Sequence, residues 1–207
     1  MLVDHSIKEY LSVLSSDAPS PGGGSVSAVS GGLGVSIMQM VCSVSMGTKG
    51  LEDEREFFQE VYENAESFKK YFLNAIDEDS YAYPRVISAY KMPKDTEEEK
   101  KIRLATIQEA YKYAASVPFE IGQMAHKFIA LLEIIIHRAN KNVITDAYVS
   151  AEQILACIDG AFVNVKVNLN YIKDEEFVNR LDEEMKSILE DSIKRLEKVK
   201  EDINNMI

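Results

Sequence analysis

The chain has 207 residues, of which 46% are hydrophobic and 28% charged, a composition typical of a globular protein with one core. Its formal net charge of -11 argues against sequence-independent nucleic-acid binding, because such binding requires a surplus of Lys and Arg. The two cysteines, Cys42 and Cys157, lie in apolar segments and indicate neither a disulfide framework nor a thiolate metal site. We therefore expect one domain over residues 1–207 in a reducing cytoplasm, and the charged start of the chain predicts no signal peptide.

Helical patterns dominate the amino-terminal half. Ser6–Leu14 is predicted to form a short amphipathic helix, and the Ser/Pro/Gly segment Ser15–Gly24 a loop. Ser25–Gly47 contains no charged residue and is predicted to be a helix. From Leu51 to about Tyr90, aromatic residues recur at helical spacing, which predicts one long helix bent at Pro84.

Capping and breaking residues divide the carboxy-terminal half. Thr96 and Glu99 form the pattern of a capping box, and Pro118 is expected to end the helix that they begin. The predicted helices run from Thr96 to Ser116, from Phe119 to Ala139, from a Thr145 cap onward, and from Asp174 to Met206.

One segment alternates apolar and polar residues with the period of a half-buried strand. It is "VNVKVNLNYI", residues 163–172. A strand needs a partner for its backbone hydrogen bonds, and the sequence offers no second convincing strand. We predict a helix here too, and hence an all-α helical bundle with long, partly kinked helices.

The uncharged helix at residues 25–47 is long enough to cross a bilayer, but its many serines and Gln39 give it the wrong composition for lipid. Gly24, Ala28, Gly32 and Ser36 recur every four residues, a stripe of small side chains that permits close helix contact. This pattern predicts a central helix of the bundle at a dimer seam, with no membrane partner.

The loop before this helix contains three successive glycines, Gly22 to Gly24. Backbone N–H groups at a helix amino terminus can face an anion, helped by the helix dipole. No Lys follows the glycines, so a nucleoside-triphosphate loop is not indicated. Taken alone, the glycines are also consistent with a tight turn before a packed helix.

Two motifs carry a resemblance to a known family. "APSPGGGSVSAVSGGLGVSIMQMV" and "DEDSYAYPRVISAYKMPKDTEEEKKIRLATIQEAYKYAASVPF" resemble the cyclodeaminase domain of formiminotransferase-cyclodeaminase, a family that includes methenyltetrahydrofolate cyclohydrolases. "ANKNVITDAYVSAEQILACIDGAFVNVKVNLNYIKDEEF" is similar to the family's carboxy-terminal helices. The resemblance covers nearly the whole chain, but no formiminotransferase part is present in it.

This resemblance implies an all-α homodimer that closes 5-formiminotetrahydrofolate to 5,10-methenyltetrahydrofolate and releases ammonia. The folate derivative is the substrate, and no tightly bound cofactor or metal is implied. A cyclohydrolase on the same scaffold shares every motif, and a non-enzymatic helical dimer is a further alternative that would bind no folate. The choice between the two reactions stays open at this point.

The resemblance assigns proton transfer to Asp79. Departure of an amine requires a positioned acid, and Asp77 is the rival carboxylate. Residues two apart on a helix point about 200° away from each other, so the two carboxylates cannot share a face. Tyr83 and Tyr90 follow Asp79 at helical spacing and could flank a pterin ring.

The remaining candidate residues are predicted to bind substrate. In the loop they are Pro21, Gly22, Gly23, Gly24 and Ser25. Asn164 and Asn168 lie four apart in an apolar helix, where a buried amide must find partners, either at the site or across a helix interface. Lys94 in the matching motif is also predicted to bind substrate, and which of Lys49, Lys94, Lys100 and Arg103 contacts the ligand's carboxylates stays open. None of the three histidines has other potential metal ligands at a suitable spacing in the sequence.

Overall fold

The structure, a computed structural model, describes residues 1–207. It is all-α, without strands, as predicted. The six α-helices are α1 (Ile7–Leu14), α2 (Gly23–Met46), α3 (Arg55–Tyr90), α4 (Glu97–Ile135), α5 (Ile144–Leu169) and α6 (Glu175–Asn204). Three single 3₁₀ turns accompany them at Leu2–Asp4, Glu52–Glu54 and Lys141–Val143.

Helix α2 is the central element of the bundle and packs mainly against α3 and α5. Its glycines allow this close packing, because a Cβ at Gly31 would lie 2.5 Å from the Phe72 ring. A Cβ at Gly34 would lie 3.0 Å from Ile154. Of the predicted stripe, Gly24 and Ala28 are buried inside the chain, whereas Gly32 is half-buried and Ser36 exposed, and the place of the stripe at a dimer seam stays a prediction. The internal contacts follow the helical face of Gly31 and Gly34 instead.

The expectation that Pro118 ends a helix is wrong, because α4 continues through it to Ile135. The capping box is confirmed: Thr96 Oγ1 accepts from the Glu99 N–H at 3.2 Å, and Glu99 binds the Thr96 N–H at 2.8 Å. Proline removes one intrahelical hydrogen bond, and a long helix with two packed neighbours can tolerate that loss. Helix α3 likewise continues through Pro84.

The alternating segment at 163–172 is helical up to Leu169, as predicted. Its pattern arises because α5 carries two apolar stripes in this region. Val165 and Leu169 are buried in the core, whereas Val163 and Val167 lie on another side of the helix and are more than half exposed. The prediction that Thr145 caps α5 is wrong, because the helix begins at Ile144 without a side-chain cap. The 3₁₀ turn directly before it is capped by Asn140.

Helix α2 is the one helix long and apolar enough to cross a membrane by length and composition. In its most apolar window, 44% of the residues are buried inside the bundle, so this property is weak evidence for a membrane span. Cys42 and Cys157 are buried free thiols, in agreement with their apolar sequence surroundings.

Candidate active site

A cavity of about 410 Å³ opens where α2, α3, α4 and α5 converge on the loop before α2. Each helix contributes a short run of residues at helical spacing. The lining residues are Pro19, Ser20, Gly22, Gly23, Gly24, Asp79, Ala82, Tyr83, Tyr111, Ala114, Pro118, Asn164, Val167, Asn168 and Tyr171. The fold thus brings the glycine loop, Asp79, Tyr83 and both asparagines to one place.

The carboxylate of Asp79 lies against the first turn of α2. Gly22 is the N-cap residue and has no side chain to cap the turn, and the Ser25 N–H faces the Asp79 carboxylate instead. A Cβ at Gly24 would overlap Asp79 Oδ1. The helix amino terminus predicted to hold a ligand anion is therefore already faced by an anion of the protein itself.

Burial raises the pKa of Asp79 from 3.8 to about 6, and the hydrogen bond from the Ser25 N–H opposes this increase. Desolvation disfavours the charged carboxylate, and its effect on the pKa is larger than that of the hydrogen bond. A carboxyl group with this pKa exchanges its proton close to neutral pH, as a general acid or base requires.

Asp77 occupies different surroundings. It is 6% exposed, and its Oδ1 accepts a hydrogen bond from the Leu2 N–H at 2.5 Å. Its Oδ2 is buried without a partner, and the residue does not line the cavity. The two carboxylates therefore face different parts of the molecule, and Asp77 anchors the amino-terminal turn to α3.

The two asparagines line the cavity from α5. The Asn164 amide lies against Gly23, where a Cβ would be 2.8 Å from Nδ2. Nδ2 of Asn164 donates to the Gly160 carbonyl at 2.8 Å. Asn168 donates across the helix interface to the Ala114 carbonyl. Both roles considered from the sequence, site lining and packing, thus apply to these residues.

Tyr111 and Tyr171 also line the cavity and were not predicted from the sequence. Their rings stack with centroids 4.8 Å apart and an angle of 13° between the planes. Helical spacing could have indicated both, because Tyr171 follows Asn168 by three residues and Tyr111 precedes Pro118 by seven. Tyr90 lies outside the lining and contacts Tyr111 edge-on at 6.3 Å between centroids.

Pro21 and Ser25 are buried beside the lining residues. The Ser25 hydroxyl lies 3.2 Å from the Tyr10 hydroxyl of α1, a contact that links the lead-in helix to the site.

No Lys or Arg lines the cavity. Lys94 and Lys49 are exposed, and Lys100 pairs with Glu97 at 2.7 Å. Arg103 donates to the Tyr90 carbonyl at 3.1 Å and lies over the Tyr90 ring. Among the four basic candidates, Arg103 alone is connected to the cavity by such contacts, because Tyr90 contacts the lining residue Tyr111. The structure also brings no group of three His, Cys, Asp or Glu residues together that could hold a metal ion.

Residues 6–187 match the formiminotransferase-cyclodeaminase family. The chain belongs to this family. A methenyltetrahydrofolate cyclohydrolase from Methylorubrum extorquens is 33% identical over 207 residues, the full length of both chains. The formimidoyltransferase-cyclodeaminase of Gallus gallus is 28% identical over 92% of this chain, which spans 35% of that relative.

The family fold is also known from a solved structure. The crystal structure of the formiminotetrahydrofolate cyclodeaminase from Thermotoga maritima covers this whole chain with a TM-score of 0.81 and 28% identity. The family resemblance found in the sequence is thus confirmed. This family member is similar to folate-processing enzymes of two kinds, a cyclohydrolase and cyclodeaminases.

Proposed function

We propose that the protein is a formimidoyltetrahydrofolate cyclodeaminase that converts 5-formiminotetrahydrofolate to 5,10-methenyltetrahydrofolate and ammonia. The observation that carries this proposal is Asp79, a carboxyl group in a cavity with a pKa of about 6. Membership of the family supports the substrate class.

The proposed reaction needs proton transfers at one carbon. The folate N10 attacks the formimino carbon, and its proton passes to the formimino nitrogen. Asp79 then donates a second proton to this nitrogen, the carbon–nitrogen bond breaks, and ammonia leaves while the methenyl cation forms. Ionised Asp79 lies beside the newly formed cation and stabilises it until a proton from solvent restores the acid.

The other lining residues fit the binding of a planar ring. Tyr83 and the stacked pair Tyr111–Tyr171 offer aromatic faces, and the two asparagines offer amide groups. The cavity has no basic side chain, so we place the glutamate tail of the folate outside it, toward Arg103. Bound folate thus contacts mainly apolar walls with a few polar groups, the usual composition of a small-molecule site.

We further propose that the protein acts as a cytoplasmic homodimer. Helix α2 exposes apolar side chains along its outer side, namely Val26, Leu33, Met40 and Val44. A row of this kind on a helix without charged residues is typical of a surface that another protein surface covers. Association of two copies of the protein through this row would bury it and place α2 at the dimer seam.

The second candidate reaction is the hydrolysis of methenyltetrahydrofolate to 10-formyltetrahydrofolate. The relative from Methylorubrum extorquens favours it, because that cyclohydrolase matches this chain end to end. In this reaction ionised Asp79 accepts a proton from water as the water attacks the methenyl carbon. The same carboxyl then protonates N5 as the carbon–N5 bond breaks, and the remaining hydroxyl proton passes to solvent as the formyl carbonyl forms. One carboxyl with a pKa of about 6 suits both steps.

The deciding experiment offers purified protein each substrate separately. With 5-formiminotetrahydrofolate we expect growth of the methenyltetrahydrofolate absorbance and release of one ammonia per product. Enzyme-dependent loss of that absorbance from methenyltetrahydrofolate, without activity on the formimino compound, would instead establish the cyclohydrolase. A protein that acts on neither and binds no folate would be a non-enzymatic helical protein.

The role of Asp79 is tested by Asp79→Asn, which keeps size and hydrogen bonding but removes the transferable proton. We expect turnover to fall by about 10²-fold or more, with KM changed much less. Asp77→Asn is the control, since its amide oxygen can still accept from the Leu2 N–H. Loss of turnover in the control alone would contradict the assignment of Asp79.

A further inference from the structure

Pro118 leaves a gap in the hydrogen bonding of α4, at the edge of the cavity. In a regular helix the N–H of residue 118 would bind the carbonyl of Ala114, but proline has no N–H, and its ring crowds that carbonyl. Both residues line the cavity. The Ala114 carbonyl must therefore find a donor outside its own helix.

Asn168 of α5 supplies this donor. Its Nδ2 lies 2.9 Å from the Ala114 carbonyl oxygen and 3.0 Å from the Asn164 carbonyl oxygen. An amide nitrogen carries two hydrogens, so both are used by backbone carbonyls. Because both partners are acceptors, the nitrogen and not the oxygen must face them, and this determines the orientation of the side chain.

The oxygen of the same amide remains available. No protein donor binds Oδ1 of Asn168, and the only buried side-chain oxygen without a partner is Oδ2 of Asp77, so Oδ1 of Asn168 is accessible. The residue is half-buried and lines the cavity that contains Asp79. Asn168 consequently presents a hydrogen-bond acceptor, and no donor, to a ligand.

We propose that Pro118 is a positioning residue for substrate binding, which acts by fixing Asn168 as an acceptor for an N–H group of the reduced pteridine ring. The inference rests on the proposed function for the identity of the ligand. Proline at 118 makes the Ala114 carbonyl available to Asn168, and this contact prevents the amide from turning its donors toward the cavity. Asp79 then remains the proton donor of the site, and Asn168 accepts a hydrogen bond from the ring.

The test is a double-mutant cycle with Pro118→Ala and Asn168→Ala. Pro118→Ala restores an N–H that can bind the Ala114 carbonyl within α4, which frees the Asn168 amide to rotate. We expect weaker binding of tetrahydrofolate in calorimetry and a KM for the formimino substrate raised about tenfold, with kcat changed less than threefold. The free energy of unfolding should stay equal or increase, because the helix regains a hydrogen bond.

The double variant separates positioning from direct contact. If Pro118 acts through Asn168, the double variant should bind tetrahydrofolate no more weakly than Asn168→Ala alone. Asn168→Ala should also cost less stability in the Pro118→Ala background, where the Ala114 carbonyl has a helical donor again.

Two results would overturn the inference. Losses of affinity that multiply in the double variant would show that the Pro118 ring contacts the ligand independently of Asn168. Unchanged affinity in Pro118→Ala, with weak binding in Asn168→Ala, would show that Asn168 needs no positioning. A wild-type protein that binds no tetrahydrofolate would instead overturn the proposed function itself and the ligand assigned to Asn168.

Discussion

Gly24 and Asp79 contact each other so closely that no side chain fits between the first turn of α2 and the carboxylate. Glycine at this position therefore has a steric role in the site, in addition to ending a loop. The contact lets the Ser25 N–H face the carboxylate, which is partly buried. The Gly-rich loop and Asp79, far apart in sequence, thus form one unit.

We predict that Gly24→Ala lowers turnover by about tenfold or more, because the new methyl group must displace the Asp79 carboxylate. The helical circular-dichroism signal should persist, since alanine favours a helix over glycine by about 1 kcal/mol. Gly32→Ala is the control on the same helix, where the nearest atom to the new Cβ is Phe72 Cβ at 3.7 Å. Equal activity of the two variants would argue against the steric role.

The same burial predicts a pH-dependent stability. Below pH 3.8, the ordinary pKa, Asp79 is largely protonated in both the folded and the unfolded chain, and its burial carries little ionisation cost. Between pH 3.8 and about 6 the unfolded chain releases this proton while the folded chain keeps it, so stability falls until the partly buried group also ionises in the folded chain. Asp79→Asn removes this cost, so its gain over the wild type should grow with pH.

Urea denaturation of both proteins at pH 5 and pH 8 measures this effect. From the two pKa values we expect the advantage of Asp79→Asn to be about 1 kcal/mol larger at pH 8 than at pH 5. A difference that does not change with pH, or one that shrinks as pH rises, would mean that Asp79 is not buried as described.

The outer side of α2 yields a prediction about assembly. Leu33→Glu places a charge in the row of Val26, Leu33, Met40 and Val44, and we expect sedimentation to show monomers instead of dimers. Leu104→Glu on α4 is the control, because Leu104 is 53% exposed and Leu33 is 51% exposed. A wild-type monomer at micromolar concentration, or a dimeric Leu33→Glu variant, would exclude this face as the seam.

The sequence predicted the helices where apolar periodicity and capping agree, as at Thr96 and Glu99. It failed at Pro118, because a local rule for helix breakers does not include a donor from another helix. Asn168 provides that donor from 54 residues away in the chain, a contact that only the packing of α4 on α5 creates. Even so, the separation of Asp77 from Asp79 followed from helix geometry alone.

The residues that line the cavity were predictable where a motif or a charge marked them, as for the glycine loop and Asp79, and their binding of substrate stays a prediction. Tyr111 and Tyr171 have the spacing of many core tyrosines, and only the tertiary structure stacks them beside the cavity. Lys94 is exposed and lies outside the cavity lining, so its predicted contact with the ligand's carboxylates stays a prediction.

The stacked tyrosines give the last prediction. Tyr111 is 8% exposed, whereas Tyr171 is 55% exposed and stacks on it. Gln108 holds the Tyr171 segment, donating to the Tyr171 carbonyl at 3.0 Å and accepting from the Lys173 N–H at 2.7 Å. This arrangement presents a preorganised aromatic surface to a ring in the cavity.

We expect Tyr171→Leu to raise KM by about 2- to 10-fold with little change in kcat, because an aromatic stacking contact contributes about 0.5–1.5 kcal/mol. Tyr171→Phe keeps the ring and should bind as the wild type does. Tyr81→Leu is the control for loss of an exposed tyrosine, since Tyr81 is 56% exposed and does not line the cavity. If Tyr171→Phe weakens binding as much as Tyr171→Leu, the hydroxyl group of Tyr171 and not its ring contacts the substrate.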